Sequence, residues 1–202
     1  LLKVVGLMTI YQRRVHVAHA HSRQVMEVVK RAKEMGLPIT CEVTPHHLLL
    51  NKERCCRGVK PALSDGEERL EDYMEWIDCF ATDHAPHLAE ESGCPGYPGL
   101  ETALALMLRY GVDIVKEKMY DNVVKIFGVD VGENDKMRDW IEVDLDQKWI
   151  VPEKLAFSRS GWTPYTGMEL TGLVRRVFLE GKLAYIDNKM VREAGSGEMV
   201  SI

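Results

Sequence analysis

Apolar residues in this chain change their spacing several times, and each change marks an element. Residues 1–12 carry apolar positions that read as the end of an amphipathic helix. Val15 to His19 follows as a short buried strand. Ser22 is a fair N-cap for a helix to about Met35, with Val25, Val28, Val29 and Ala32 on one face and Gly36 closing it. Pro38 precedes a second strand, Ile39 to Val43, and Thr44-Pro45-His46-His47 reads as its exit loop. Strand, helix and strand within about 30 residues form a crossover unit, which predicts parallel strands.

Residues 51–66 are polar and hold Gly58, Pro61 and Gly66, so they predict a loop. Glu67 to Trp76 fits a short helix, and Ile77 to Ala81 a third strand. Gly99 to Tyr110 is apolar nearly all round and predicts a deeply buried helix, with another from about Ile114 to Phe127. Beyond Gly128 the pattern turns to alternation, at Ile141 to Leu145, Gly172 to Leu179 and Lys182 to Ile186. Glu180-Gly181 between the last two is a hairpin signal. The predicted class is α/β: a partial barrel of strands and helices over residues 1–140, then a small antiparallel β-unit over residues 141–202.

With 202 residues, 46% of them hydrophobic and 28% charged, the composition is that of an ordinary globular chain. A net charge of −5 and the lack of a basic stripe argue against a nucleic-acid or anionic-membrane surface. No apolar run approaches the roughly 20 residues of a membrane span, and the N-terminus lacks a signal-peptide layout. The chain starts at Leu1, which leads us to expect a processed or truncated start. Five cysteines without a CxxC pair read as reduced thiols, hence a cytoplasmic location. Cys41 and Cys79 fall in strands and should be small buried hydrophobes, whereas Cys55-Cys56 lie in a charged loop.

Chemistry gathers at the predicted strand ends. All seven histidines lie between positions 16 and 87, in three clusters: His16, His19 and His21; His46 and His47; His84 and His87. Parallel strands would bring those ends to one face, where β/α barrels carry their active sites. Asp83 follows the third strand directly. It is the one acid so placed, able to ligate a metal, accept a proton from an attacking water and return it to a leaving nitrogen. A zinc ion would lower the pKa of that water to about 7. Glu42, inside a strand, must be paired or metal-bound if buried, and a structural ion pair is the weightier expectation.

The run Ala81-Thr82-Asp83-His84-Ala85-Pro86-His87, followed by Pro95-Gly96-Tyr97-Pro98-Gly99-Leu100-Glu101-Thr102, resembles the last catalytic strand and loop of the dihydroorotases. The form is similar to that in CAD, the animal multifunctional protein that joins dihydroorotase to carbamoyl-phosphate synthetase and aspartate carbamoyltransferase. Val15-His16-Val17-Ala18-His19, Pro38 to Leu48, Val59-Lys60-Pro61, Glu142 to Leu145, Trp162-Thr163-Pro164-Tyr165 and Gly172 to Val177 extend the likeness over nearly the whole chain.

The resemblance implies the C-terminal part of a metal-dependent amidohydrolase TIM barrel plus a small β-unit. It implies interconversion of N-carbamoyl-L-aspartate and dihydroorotate in pyrimidine synthesis, with two zincs in a complete site. His19 would be a zinc ligand and Asp83 the metal-binding general acid/base. His87 and the backbone at Pro95 and Gly96 would contact the substrate carboxylate. Glu42 matches a carboxylate that helps hold an additional zinc, although its companion cysteine is Ala18 here. Lys60 stands in place of a substrate-binding arginine. The family's His-x-His pair, carboxylated lysine and further ligand histidine have no counterpart in residues 1–14, so the chain reads as incomplete and inactive alone. Two alternatives accompany this reading: a non-catalytic dihydroorotase-like scaffold that binds aspartate carbamoyltransferase, and a dihydropyrimidinase- or allantoinase-like hydrolase. An open half-barrel would also leave strand edges that favour homo-oligomers.

Overall fold

Two sheets organise the molecule. The computed structural model describes residues 1–53, 57–65, 69–91, 93–129, 131 and 139–196. Helix α1 (Leu2–Tyr11) leads to strand β1 (Val15–Val17), helix α2 (Arg23–Glu34) and strand β2 (Ile39–Val43). A short helix α3 (Pro45–Leu49), a 3-10 turn (Leu70–Trp76) and strand β3 (Cys79–Phe80) follow. The three strands pair in parallel in the order β1-β2-β3, with Val17 opposite Cys41 and Val43 opposite Phe80. All three therefore end on one face. Cys55 and Cys56, Gly66 and the predicted helix start at Glu67 lie outside the described residues.

Helix α2 starts where its cap predicts, since the Ser22 hydroxyl accepts from the Val25 N–H. Its inward face is shifted, however: Met26, Val29 and Ala32 are buried, with Val25 beside them, whereas Val28 is not part of the core. Met26 is long and flexible enough to fill the gap under β2, and it displaces the β-branched residue. Thr44-Pro45-His46-His47 forms a helix start rather than a loop. Thr44 caps it, accepting from the His47 N–H, and proline at the first position needs no partner for a missing N–H.

Helix α4 (Leu100–Met107) is shorter than predicted and passes into a 3-10 turn at Leu108–Tyr110. It buries Thr102, Ala103, Leu106 and Met107, while Leu100 is 61% exposed, so its apolar circumference overstates its burial. The predicted helix from about Ile114 is interrupted: α5 (Val112–Lys116) and α6 (Asn122–Phe127) flank a π-turn at Glu117–Asp121. That turn lets Lys118 reach back to the Ile77 carbonyl at 2.6 Å and Asn122 to the Asp78 carbonyl at 2.9 Å. Cys41 and Cys79 are buried as expected, and burial pushes the Cys41 thiol up to about 12.

The second sheet is antiparallel, in the order β4 (Trp140–Ile150), β5 (Glu169–Leu179), β6 (Lys182–Ile186) and β7 (Lys189–Met190). Glu180 and Gly181 both have positive φ, 52° and 72°, as a two-residue hairpin turn demands. The Glu101 carboxylate accepts from the N–H groups of Phe157 and Ser158, tying α4 to the β4–β5 connection. Val43 and Phe80 of the first sheet, Leu170 of the second and Tyr165 of the β4–β5 connection share one core. The shifted face of α2 gives a direct check. Met26→Ala should destabilise the chain by about 2–5 kcal/mol and Val28→Ala by well under half of that. Denaturant unfolding of both variants measures it.

Candidate active site

The strand-end face is built around Glu42. His16 Nε2 donates to its Oε2 at 3.1 Å, and the His19 backbone N–H donates to Oε1 at 3.4 Å. His16 Nδ1 lies 2.8 Å from the Thr40 hydroxyl, and the Glu42 carbonyl accepts from Ala20 at 2.8 Å. Burial pushes the Glu42 carboxyl up, but the hydrogen bond and charge of His16 outweigh it and hold the group below the ordinary carboxylate range. Both carboxylate oxygens are thus engaged by the protein.

His19 and Asp83 stand at the tips of β1 and β3, each with left-handed backbone (φ 35° and 46°). Such conformations in non-glycine residues cost about 1–3 kcal/mol and gather at functional sites. Burial raises the Asp83 carboxyl above its ordinary value; the nearby His19 pulls it down and the Glu42 carboxylate pushes it up. Glu42, His19 and Asp83 therefore share one electrostatic neighbourhood.

The other histidines are held differently. His47 Nε2 donates to the Pro61 carbonyl at 3.0 Å, because a carbonyl can only accept, so its Nδ1 accepts from the Thr44 hydroxyl at 2.8 Å. His46 is 1% exposed, packs edge-on against Tyr97, and its Nε2 has no hydrogen-bond partner. Burial pushes His46 down to about 3 and His47 to about 4. His84 Nδ1 accepts from the N–H groups of Gly99 and Leu100, capping α4. Of the three predicted clusters, these members are scaffolding.

His87 sits on the loop after Asp83, its Nδ1 3.5 Å from Glu91, and faces Gly96. A Cβ at Gly96 would stand 2.4 Å from the Ala85 Cβ and 3.2 Å from the His87 ring, and its φ of 141° also demands glycine. The Gly96 N–H already donates to the Gly58 carbonyl at 3.0 Å. Pro95 is exposed and has no N–H to offer. Lys60 is exposed, one residue before the Pro61 that His47 pins.

Among the described residues no group of three or more His, Cys, Asp or Glu side chains is placed to hold a metal. His19 and Asp83 are two donors and Glu42 is spent, which falls short of the three protein ligands of a catalytic zinc. The described residues do not by themselves fit the metal centre that the resemblance implies. Sequence reasoning passed over Arg57, Tyr97 and Trp162 as site components. Trp162 Nε1 donates to the His87 carbonyl at 2.9 Å. Trp162 lies in the Trp162-Thr163-Pro164-Tyr165 run and Tyr97 in the Pro95 to Thr102 run, which carry likeness but no role for either; Arg57 has no such signal.

No family model matches the chain. Among curated proteins it is 43% identical to the multifunctional protein CAD of Squalus acanthias over 95% of this chain and 9% of that one. It is 36% identical to the dihydroorotase of Aquifex aeolicus, covering 86% of this chain and 46% of that one. Among solved structures, the L-hydantoinase of Arthrobacter aurescens superposes with a TM-score of 0.89 at 22% identity, over 100% of this chain and 51% of the other. The inactive dihydroorotase-like domain of the Chaetomium thermophilum CAD-like protein gives 0.74 at 26% identity, over 94% and 56%. The chain belongs to the dihydroorotase family. It spans about half the length of the free-standing dihydroorotases it matches. Its fold is that of the amidohydrolase barrels, of which it likewise covers about half.

Burial of neutral His46 and His47 gives this dihydroorotase-family chain a defined pH response. A histidine whose folded pKa is depressed stabilises fully above its free value of 6.5, and that stability is lost as pH falls toward 4 and 3. By linkage each should withdraw about 2 kcal/mol by pH 5. Melting midpoints measured from pH 7.5 down to 5 should fall steadily; a flat profile would refute the buried neutral pair.

Proposed function

We propose that this chain supplies part of a dihydroorotase active site, with Asp83 moving the proton and His19 serving as a zinc ligand. The reaction is the reversible opening of dihydroorotate to N-carbamoyl-L-aspartate, a step of pyrimidine synthesis. The observation that carries this reading is the placement of His19 and Asp83 at two parallel strand tips, in left-handed backbone and mutual electrostatic reach. Membership of the dihydroorotase family supplies the substrate.

Opening the ring adds water to an amide carbonyl carbon, breaks the C–N bond and delivers a proton to the departing nitrogen. The Asp83 carboxylate accepts the proton of the attacking water, and the resulting acid donates it to that nitrogen. A carboxyl raised above its ordinary value suits this shuttle, because its two forms lie closer in energy near neutral pH. His87 contacts the substrate carboxylate, with Lys60 as the neighbouring cation, while the Pro95–Gly96 backbone, whose one N–H is taken by the Gly58 carbonyl, only shapes the space beside it. An ammonium keeps the charge but lacks the planar fork of a guanidinium, so the carboxylate is held less firmly. Zinc chemistry, two ions per complete site by resemblance, requires donors beyond His19 and Asp83; Glu42 acts as the partner of His16 rather than as a ligand.

The partners that go with this reading are the small-molecule substrate, other copies of the chain, and aspartate carbamoyltransferase and carbamoyl-phosphate synthetase modules, in the cytoplasm. No helix among the described residues is long and apolar enough to cross a membrane. A second reading, a non-catalytic scaffold, is favoured by the likeness to the inactive Chaetomium thermophilum domain and by the short donor set.

The isolated chain should bind less than one zinc per molecule and show no dihydroorotate hydrolysis. Metal analysis and a turnover assay test this; two tight zincs with hydrolysis abolished by Asp83→Ala would refute it. Strands β1 and β3 edge the parallel sheet, so the chain should self-associate in light scattering. A monodisperse monomer is the contrary result.

A further inference from the structure

We propose that Trp162 and Arg57 form a clamp that fixes His87 against Gly96, which makes them positioning residues for carboxylate recognition at this strand end. The proposal rests on the dihydroorotase reading, which is what gives His87 a carboxylate to meet.

Three consecutive carbonyls carry the argument. The His87 carbonyl accepts from Trp162 Nε1 at 2.9 Å, the Leu88 carbonyl from Arg57 Nη1 at 3.2 Å, and the Ala89 carbonyl from Arg57 Nη2. The Ala89 N–H closes the same segment onto the Ser160 carbonyl at 3.0 Å. These donors come from two distant parts of the chain, and they are coupled to each other. The Arg57 guanidinium lies 4.4 Å over the Trp162 ring, a cation–π contact that orients its fork.

Gly96 and Tyr97 hang from the same residues. Gly96 N–H donates to the Gly58 carbonyl at 3.0 Å, and the Tyr97 hydroxyl donates to the Arg57 carbonyl at 2.6 Å. Tyr97 also meets the Trp162 ring edge-on at 5.9 Å between centroids. His87 and Gly96 are thus referenced to one frame, and the missing Cβ lets Gly96 pack against Ala85 with the His87 ring beside it. Residues 87–89 form no helix or strand, so without these donors their carbonyls would turn to water and the ring would swing with them. Arg57 spends its charge on the ring and the carbonyls, so it is not the cation that meets the ligand. Lys60, three residues on, is exposed.

The test uses the full chain. Trp162→Phe keeps an aromatic face but removes the donor to His87 and narrows the ring under Arg57; Arg57→Lys keeps the charge and removes the fork. Amide hydrogen exchange by NMR should accelerate about tenfold at Ala89 and Gly96 in both variants, while Cys41 and Val43 in β2 stay unchanged. Affinity for N-carbamoyl-L-aspartate by calorimetry should drop about tenfold with the melting midpoint held to within about 3 °C. Unchanged exchange at Ala89 and Gly96 would overturn the clamp, and so would accelerated exchange with unchanged affinity. A native chain that binds L-malate but not N-carbamoyl-L-aspartate would overturn the dihydroorotase reading, with the L-malate affinity of the variants then deciding the clamp. A native chain that binds neither would overturn carboxylate recognition here.

Discussion

A carboxylate inside a parallel strand has to be satisfied where it stands, and Glu42 is satisfied by reaching sideways to β1. Its two oxygens take the imidazole of His16 and the backbone N–H of His19, so the tip of β1 is folded back over β2. Remove that acceptor and the left-handed turn at His19 loses the hydrogen bond that helps hold it. Beyond the strand pairing, which ends at Val17, His19 is held at Glu42 twice, by this carboxylate and by the Ala20 N–H on the Glu42 carbonyl.

The same logic of fixing a loop from its neighbour recurs at each strand end. After β2, Thr44 caps α3 and aligns His47, which pins the Pro61 carbonyl and so places Lys60. After β3, His84 caps α4 and locks the Asp83 loop to the helix that follows. The second sheet joins in through the β4–β5 connection, from which Trp162 reaches the His87 carbonyl. The site is therefore assembled from residues 75 positions apart along the chain, not from one contiguous motif.

Much of this was legible before the structure. Parallel pairing followed from the strand–helix–strand spacing, the hairpin at Glu180-Gly181 from its dipeptide, and the burial of Cys41 and Cys79 from their strands. The failures share a cause. Val28 was placed on the core face because a stripe of valines is a stronger pattern than one methionine, yet the methionine packs deeper. The exit of β2 was read as loop because proline and histidine are poor helix signals, although Thr-Pro is a cap and first position. The π-turn at Glu117–Asp121 answers a tertiary demand, the carbonyls of Ile77 and Asp78, that no local pattern encodes. Arg57 and Trp162 were passed over for the same reason: their partners are backbone groups, which leave no mark on side-chain spacing.

The density of histidines at the strand ends was the feature that pointed to a metal centre, and the structure divides it in two. His46, His47 and His84 are bound into the scaffold, and His16 is bound to Glu42. A buried imidazole costs little when it is neutral, it can accept on one nitrogen while donating on the other, and it fills as much space as a small aromatic. Those properties suit it to bracing tight loops as well as to catalysis, so its concentration marks where loops are braced. What remains for chemistry is the pair that scaffolding cannot explain: His19 and Asp83, each in left-handed backbone after the two outer strands, on either side of β2. Among the described residues these two donors, one of them the raised carboxyl, can move a proton but fall short of the three ligands of a catalytic zinc, in a chain that spans about half the length of the free-standing dihydroorotases it matches.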